Sequence, residues 1–149
     1  MPDNLDLVRQ IGPPSSWLAV VATTRRDGSV HASLVNAGVL DDPLSGEPVV
    51  GLVVSGDARK LEHFRRSGRG SATFHSGWQW VSVEGPVHIA GPDDRREGVA
   101  AGSIPELLRA VFKSAGGTHD DWDEFDRVMA SERRAAVLIE PARVISNRG

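Results

Sequence analysis

The sequence predicts an α+β fold, mainly β, built on a small antiparallel barrel that is either closed or split. Apolar, β-branched segments recur through the first part of the chain, separated by short turns rich in Gly, Pro and Asp. One short helical segment interrupts them, so the strand–helix alternation of a parallel sheet is absent. A helical region then precedes one last apolar segment. We therefore expect six mostly antiparallel strands, one short inserted helix, and two or three helices before the last strand.

The six strands are predicted from β-branched content and from the turns that bound them. The first, WLAVVATT, has the length of a buried strand, and Asp27-Gly28 supports the positive φ of a tight hairpin to the second. Gly85-Pro86 marks a bulge or kink in the fifth strand, and Pro141 breaks the sixth. We predict strands over residues 17–24, 29–40, 49–55, 70–75, 78–90 and 135–146.

The helices are predicted from apolar residues at intervals of three and four. Residues 4–10 form a short helix within a lead-in of residues 1–14, and residues 58–66 form the inserted helix. Residues 93–131 form a helical insertion. Within it we predict a helix over 93–101, a helix that starts at a capping box with an early proline over 103–106, and an acidic helix that starts over 118–121.

The composition is typical of one globular domain, which we expect to extend over residues 1–149. The chain is 40% hydrophobic and 25% charged, and its net charge of -3 disfavours general nucleic-acid binding. The lack of cysteine excludes disulfides and thiolate catalysis, and the lack of tyrosine excludes a phenol as general acid. No apolar run approaches the roughly 20 residues of a membrane span, and no signal peptide is visible. We expect a cytoplasmic protein.

The turn between the third strand and the inserted helix is the main candidate site. Small residues at such a turn expose backbone N–H groups, which attract anions. Arg59 and Lys60 follow in the first helical turn, where positive charge opposes the helix dipole unless an anion is bound. The turn is therefore either a phosphate clamp, which we favour, or a solvated basic face. The predicted clamp consists of Ser55, Gly56, Asp57, Ala58, Arg59 and Lys60.

Other catalytic patterns are weak or missing. The chain has no Gly-x-Ser-x-Gly elbow and no Walker loop, and Gly68-Arg69-Gly70 follows a helix rather than a strand, so it is no dinucleotide fingerprint. The five histidines lack metal-ligand spacing; local hydrogen bonds are favoured over a site assembled from distant strands. The acidic residues of 120–126 lie on the solvent side of their helix, which favours a solvated face. The catalytic residues are unknown at this stage, and no metal is expected.

Trp78 and Trp80 lie two residues apart on a strand and therefore share a face. Two interpretations are open: the tryptophans stack on a planar ring, or they cover the core, which we favour. A chain without its own nucleophile is typical of an enzyme that borrows a redox cofactor, because the cofactor carries the chemistry and the protein supplies binding and orientation.

With these motifs the chain resembles the pyridoxamine-phosphate-oxidase-like split barrels, which include flavin and deazaflavin oxidoreductases. The resemblance extends over residues 17–146. An Asp-Gly hairpin lies within AVVATTRRDGSVHASLV, and the Ser-Arg-Lys motif of flavin oxidases is matched by Ala58-Arg59-Lys60, followed by LEHFRRSGRGSATF. The later Val-x-Gly strand is matched by Val83-Glu84-Gly85.

The resemblance implies a six-stranded split barrel that forms a homodimer with the cofactor at the subunit interface. Arg59 and Lys60 would bind a cofactor phosphate, and the ring would lie near Val35 and Asn36 on the second strand. Trp78 or Trp80 would come from the partner chain. The resemblance also places an acceptor pocket at variable segments, for which residues 41–47 and 93–129 are candidates, and an acidic cofactor tail near Arg65, Arg66 and Arg69.

Departures from the family pattern bear on the cofactor. The flavin oxidases hold the FMN phosphate with an arginine and a lysine at the positions of Ser33 and Gly38, and with a serine at the position of Ala58. The chain looks more like the branch that uses the deazaflavin coenzyme F420, which implies hydride transfer to a planar conjugated small molecule. The alternatives are an FMN-dependent reductase or oxidase, and a non-catalytic binder of a flavin, F420 or haem, the last with His31 or His88 as axial ligand.

Overall fold

The computed structural model describes residues 4–148. Within these residues, eight strands and four α-helices follow one another, with short 3₁₀ turns at Pro13–Ser15 and Ala101–Ser103. Their bounds are α1 Asp6–Ile11, β1 Leu18–Thr24, β2 Val30–Asn36, β3 Gly38–Asp41, β4 Pro48–Val54, α2 Arg59–Ser67, β5 Arg69–Ser76, β6 Gln79–Ala90, α3 Ile104–Ser114, α4 Trp122–Ser131, β7 Ala135–Ile139 and β8 Arg143–Ser146.

The strands form one antiparallel sheet in the order β2-β1-β5-β6-β7-β4-β3, and β8 also pairs with β6. The first part of β6 pairs with β5 and β8, and its last part, from Val87 onward, pairs with β7. The change of partner comes directly after Gly85-Pro86, where the sequence predicts a kink. The two ends of the sheet order, β2 and β3, are consecutive in the chain and are separated only by Ala37. The predicted α+β class with an antiparallel barrel-like sheet is confirmed.

The structure has eight strands because two of the six predicted strands are each divided in two. The predicted strand over 29–40 is interrupted at Ala37, whose N–H donates to the carbonyl of Trp17 at 3.0 Å. On either side of this break, β2 pairs with β1 and β3 pairs with β4. The predicted strand over 135–146 is interrupted at Pro141, which has no N–H to donate. Both breaks let the chain change to a different neighbour.

The predicted helix over 93–101 is wrong. Residues 92–100 cross the surface in turns, and Gly98, with φ of +90°, is in the left-handed region that ends a helix. The capping box at 103–106 is also wrong, because the Ser103 hydroxyl donates to the carbonyl of Ala100 at 2.7 Å instead of capping α3. Helix α3 nevertheless begins at Ile104 with a proline in its first turn, as predicted.

Two hydrophobic clusters hold these elements together. One fills the barrel and includes Leu61 and Phe64, which anchor α2 and are fully buried. The other lies between the sheet and the helices, where Leu107, Leu108 and Val111 form the buried stripe predicted for α3. None of the helices in residues 4–148 has the length and apolar character to span a bilayer. The two clusters fix the start of α2 and the end of α3 around a common cleft.

Candidate functional site

The cleft has a volume of about 690 Å³ and lies where the ends of β2 and β4 meet the start of α2, the end of α3 and α4. This is within the range of about 300–1,000 Å³ typical of small-molecule sites. Half of the ten predicted binding residues line it, namely Val35, Asn36, Ser55, Ala58 and Lys60. Residues far apart in the sequence therefore meet in one cavity.

Lys60 is one of the two cations that line this cleft. Its side chain is half-buried and has no ion pair or hydrogen bond to any residue of 4–148. Burial lowers the pKa of its ammonium group, because desolvation disfavours the charged form. The next residue, Leu61, is fully buried and holds the helix in place. An anion in the cleft would offset the desolvation of Lys60.

Two backbone N–H groups of the turn before α2 already donate hydrogen bonds within the chain, which the sequence does not predict. The N–H of Gly56 donates to the carbonyl of Glu132 at 3.1 Å, and the N–H of Ala58 donates to the carbonyl of Ser55 at 3.1 Å. The Ser55 hydroxyl donates to the Asp57 carboxylate at 2.7 Å. An anion would therefore meet the first N–H groups of α2, which have no partner within the helix, and the Lys60 ammonium.

The arginines predicted to contact the phosphate or the acidic tail of the cofactor lie outside the cleft. Arg59 is exposed and does not line the cleft. Arg65 makes two hydrogen bonds to Asp94, at 2.7 and 2.6 Å, and this carboxylate raises the pKa of the guanidinium. Arg66 donates to the carbonyl of Thr24. Two of the three arginines proposed for an acidic tail are thus engaged within the chain.

Part of the cleft wall is aromatic and apolar. Phe112 of α3 and Phe125 of α4 lie with ring centroids 4.9 Å apart, and Met129 continues this surface. Arg134 adds a second cation, which donates to the Glu132 carboxylate at 2.9 Å. The sequence places the two phenylalanines on apolar helix faces but carries no signal that these faces reach the ring site. The α3–α4 part of the predicted acceptor region lines the cleft, whereas residues 41–47 do not.

Asn36 is held by a strained segment. Its side-chain amide donates to the carbonyl of Ser16 at 2.9 Å. Ser16 and Trp17 both have φ of 57°, a left-handed conformation that costs energy for residues other than glycine. Ser16 also lines the cleft. The strained turn and the amide therefore form a defined polar edge at the end of β2.

The two tryptophans lie outside this cleft. Trp78, at the β5–β6 turn, is 93% exposed, so the interpretation that it covers the core is wrong. Trp80 is half-buried and lies opposite His75 in the register of β5 and β6. The preceding residue of β5, Phe74, lies opposite Ala19 of β1. Within one chain, neither side chain contributes to the wall of the cleft.

The histidines and acids have local partners. The Nδ1 atoms of His31 and His63 lie 3.4 Å apart, and His63 Nδ1 lies 2.8 Å from the Thr23 hydroxyl. His88 Nε2 lies 2.6 Å from the Glu140 carboxylate. In residues 4–148 there is no cluster of three or more potential metal ligands. In the acidic segment, Asp121 caps α4 and Asp126 pairs with Arg109 of α3.

At Gly38, where the flavin oxidases carry a lysine, this chain has no space for a side chain. Gly38 is buried, and a Cβ at this position would collide with the backbone of Ser114 at the end of α3. Ser33 is half-buried on β2. The end of α3 thus takes the place that a phosphate-binding lysine would need.

Comparisons with known proteins identify the fold. No family model matches the chain. A conserved hypothetical protein of Mycobacterium tuberculosis is similar at 22% identity and a TM-score of 0.68, over 98% of this chain and 84% of that one. An FMN-binding protein related to pyridoxamine 5'-phosphate oxidase from Nostoc punctiforme is similar at 8% identity and a TM-score of 0.65, over 100% of this chain and 88% of that one. A structure described as an F420 reductase is similar at 11% identity and a TM-score of 0.61, over 97% of this chain and 98% of that one. The architecture is that of these split barrels.

Proposed function

We propose that this protein is a homodimeric oxidoreductase that transfers hydride between the deazaflavin coenzyme F420 and a planar conjugated small molecule. The observation that carries the proposal is the cleft, which is lined by two phenylalanines and by a half-buried lysine that has no ion pair or hydrogen bond within residues 4–148. A ring system with a phosphorylated chain needs both features. Similar solved structures described as an F420 reductase and as an FMN-binding protein support a flavin-type ligand.

The residues of the cleft fit such a group. Lys60 and the first N–H groups of α2 would hold a phosphate, and Val35, Phe112 and Phe125 would enclose the ring. The Asn36 amide, fixed by Ser16, would orient the polar edge of the ring. When bound, the deazaflavin supplies the hydride chemistry. Val35, Phe112 and Phe125 exclude water from the ring face, and Lys60 is a proton-bearing group of the cleft.

F420 is preferred over FMN because the chain lacks the usual FMN phosphate contacts. Gly38 has no room for a lysine, and Ala58 replaces the motif serine. FMN remains the second candidate cofactor. A non-catalytic binder of a flavin or haem is the third hypothesis, although both histidines considered as haem ligands already have partners, His63 for His31 and Glu140 for His88.

The dimer would form through an exposed apolar face of the sheet. Strand register places Leu34, Val20, Thr73, Ser82 and Ile145 in one row across five strands. The large apolar residues of this face are 40–65% exposed, which is typical of an interaction surface. They are Leu18, Val20, Val30, Leu34 and Ile145. In the proposed dimer, the nearby Trp78 or Trp80 would reach the cleft of the partner subunit.

Side-by-side titration of the pure protein with F420 and FMN tests the proposal. We expect F420 to bind more tightly, and Lys60→Ala to weaken binding at least tenfold. Arg59→Ala is the matched control, since Arg59 lies in the same helical turn but outside the cleft, and it should change affinity less than twofold. Unchanged affinity in Lys60→Ala would overturn the site. Tighter FMN binding would favour the FMN alternative, and binding without turnover across an acceptor panel would favour the non-catalytic one.

A further inference from the structure

A second cavity, of about 650 Å³, lies between residues 91–101, α3 and α4. Its apolar surface comes from side chains such as Ile104, Leu108 and Met129. Its volume nearly equals that of the cofactor cleft and falls in the range of small-molecule sites. Nothing in the proposed redox function uses it.

Ion pairs hold the wall of this cavity in place. Asp93 accepts from Arg133, Asp94 accepts two hydrogen bonds from Arg65, and Arg96 donates to Asp42 at 2.8 Å. These three neighbours on the 91–101 segment are thus tied to three different parts of the fold. The segment is pinned over the cavity although it is not helical. Small residues, including Ala100, Ala101 and Ala130, line the cavity and leave it open.

The charge of the lining favours an anion. Its two acids, Asp94 and Asp126, are paired with Arg65 and Arg109, which do not line the cavity. The lining itself adds three arginines. Arg95 has no ion pair with any residue of 4–148, and the Nη1 of Arg96 is buried without a hydrogen-bond partner in that range. That nitrogen is not accessible even to water, so the exposed Arg95 is the cation of this wall that can bind a ligand oxygen. The third arginine is Arg134.

We propose that this cavity binds an amphipathic organic monoanion, with its apolar body against Ile104, Leu108 and Met129 and its anionic group at Arg95. Met129 and Arg134 border both cavities, so the ligand lies one side-chain layer from the cofactor cleft. Binding of this ligand does not require the first cleft, because Arg95, Ile104 and Leu108 lie outside it and, of the ligand-contacting residues, only Met129 is shared.

The test uses the intact protein and the fluorescent aromatic sulfonate 8-anilinonaphthalene-1-sulfonate as probe, with decanoate and decanol as competitors. Ala101→Trp and Ala130→Trp fill the second cavity, whereas Ala115→Trp fills only the cofactor cleft. We expect both cavity-filling variants to weaken probe binding at least tenfold, and Ala115→Trp to change it less than twofold. Arg95→Gln should weaken it about three- to tenfold, and decanoate should displace the probe at much lower concentration than decanol.

Ala101 and Ala130 are both exposed, so both variants are expected to fold, and circular dichroism verifies each fold. Loss of probe binding only in Ala115→Trp would assign the probe to the cofactor cleft and overturn the proposal. Binding unchanged in all three tryptophan variants would assign it to the exposed sheet face, with the same consequence. Equal displacement by decanol and decanoate would overturn the anionic part.

Discussion

The backbone N–H of Gly56 donates to the carbonyl of Glu132 at 3.1 Å, so the turn that begins α2 is tied to the end of α4. A Cβ at Gly56 would lie 2.6 Å from the carbonyl oxygen of Arg133. The two chain segments therefore approach more closely than any other residue at position 56 allows.

Gly56→Ala should push these two segments apart. We expect a loss of about 1–3 kcal/mol in the free energy of unfolding, typical of overpacking, together with weaker cofactor binding because Lys60 moves with the turn. Thermal and urea unfolding measure the first effect and cofactor titration the second. Gly102→Ala is the control, since a Cβ there has no neighbour within 4 Å. Equal stability of the two variants would contradict the close approach.

Cofactor affinity should depend on pH through Lys60. Only the ammonium form attracts a phosphate, and burial lowers its pKa in the free protein. Affinity should therefore fall as the pH rises, starting at a lower pH than for an exposed lysine of pKa 10.5. Titrations between pH 7 and 10.5 measure this. Lys60→Arg should give a flat profile because arginine stays charged, and a flat profile in the unsubstituted protein would rule out the role of Lys60.

Stability in mild acid should depend on His63. Burial, followed by the nearby charges of His31, Arg66 and Arg25, lowers its pKa below 6.5 in the folded state. The unfolded chain then binds the proton more readily, so stability is lost as the pH falls from the unfolded pKa through the folded one. We expect the Tm of the unsubstituted protein to fall more between pH 7.5 and 5 than that of His63→Gln. His75→Gln, at an exposed strand position, should behave like the unsubstituted protein.

The exposed apolar face should control the oligomeric state. Leu34 is 65% exposed, so Leu34→Asp leaves the monomer core intact but places a charge within the proposed dimer contact. Light scattering should give twice the 16.0 kDa chain mass for the unsubstituted protein and the single mass for Leu34→Asp. Val128→Asp, at an exposed position of α4, is the control and should stay dimeric. A monomeric unsubstituted protein would refute the dimer.

Local sequence signals predict most of this fold, and the differences arise from distant contacts. Strand positions follow from β-branched runs and turns. The break at Pro141 follows from the missing N–H of proline, but the break at Ala37 depends on which neighbour each half-strand joins, and no local pattern encodes that choice. The 93–101 segment has helical composition, but Asp93 and Asp94 are bound by arginines that lie far away in the sequence.

The candidate site shows the same division. The turn before α2 predicts Lys60 as a binding residue, and the family resemblance implies Val35 and Asn36. The structure places all three in one cleft. The engagement of the Gly56 N–H by Glu132 could not be predicted, because helix α4 is remote in the chain. The same holds for Arg134, which reaches the cleft from the loop after α4.

Strand β7 lies between β6 and β4 and satisfies the hydrogen-bonding edges of both. During synthesis these two strands leave the ribosome well before residues 135–139 do. Their unpaired edges then expose backbone N–H and C=O groups between apolar side chains to other nascent chains, a condition that promotes aggregation. This part of the sheet therefore pairs fully only after residues 135–139 are synthesised, and chaperones that shield β-edges should raise the yield of the protein.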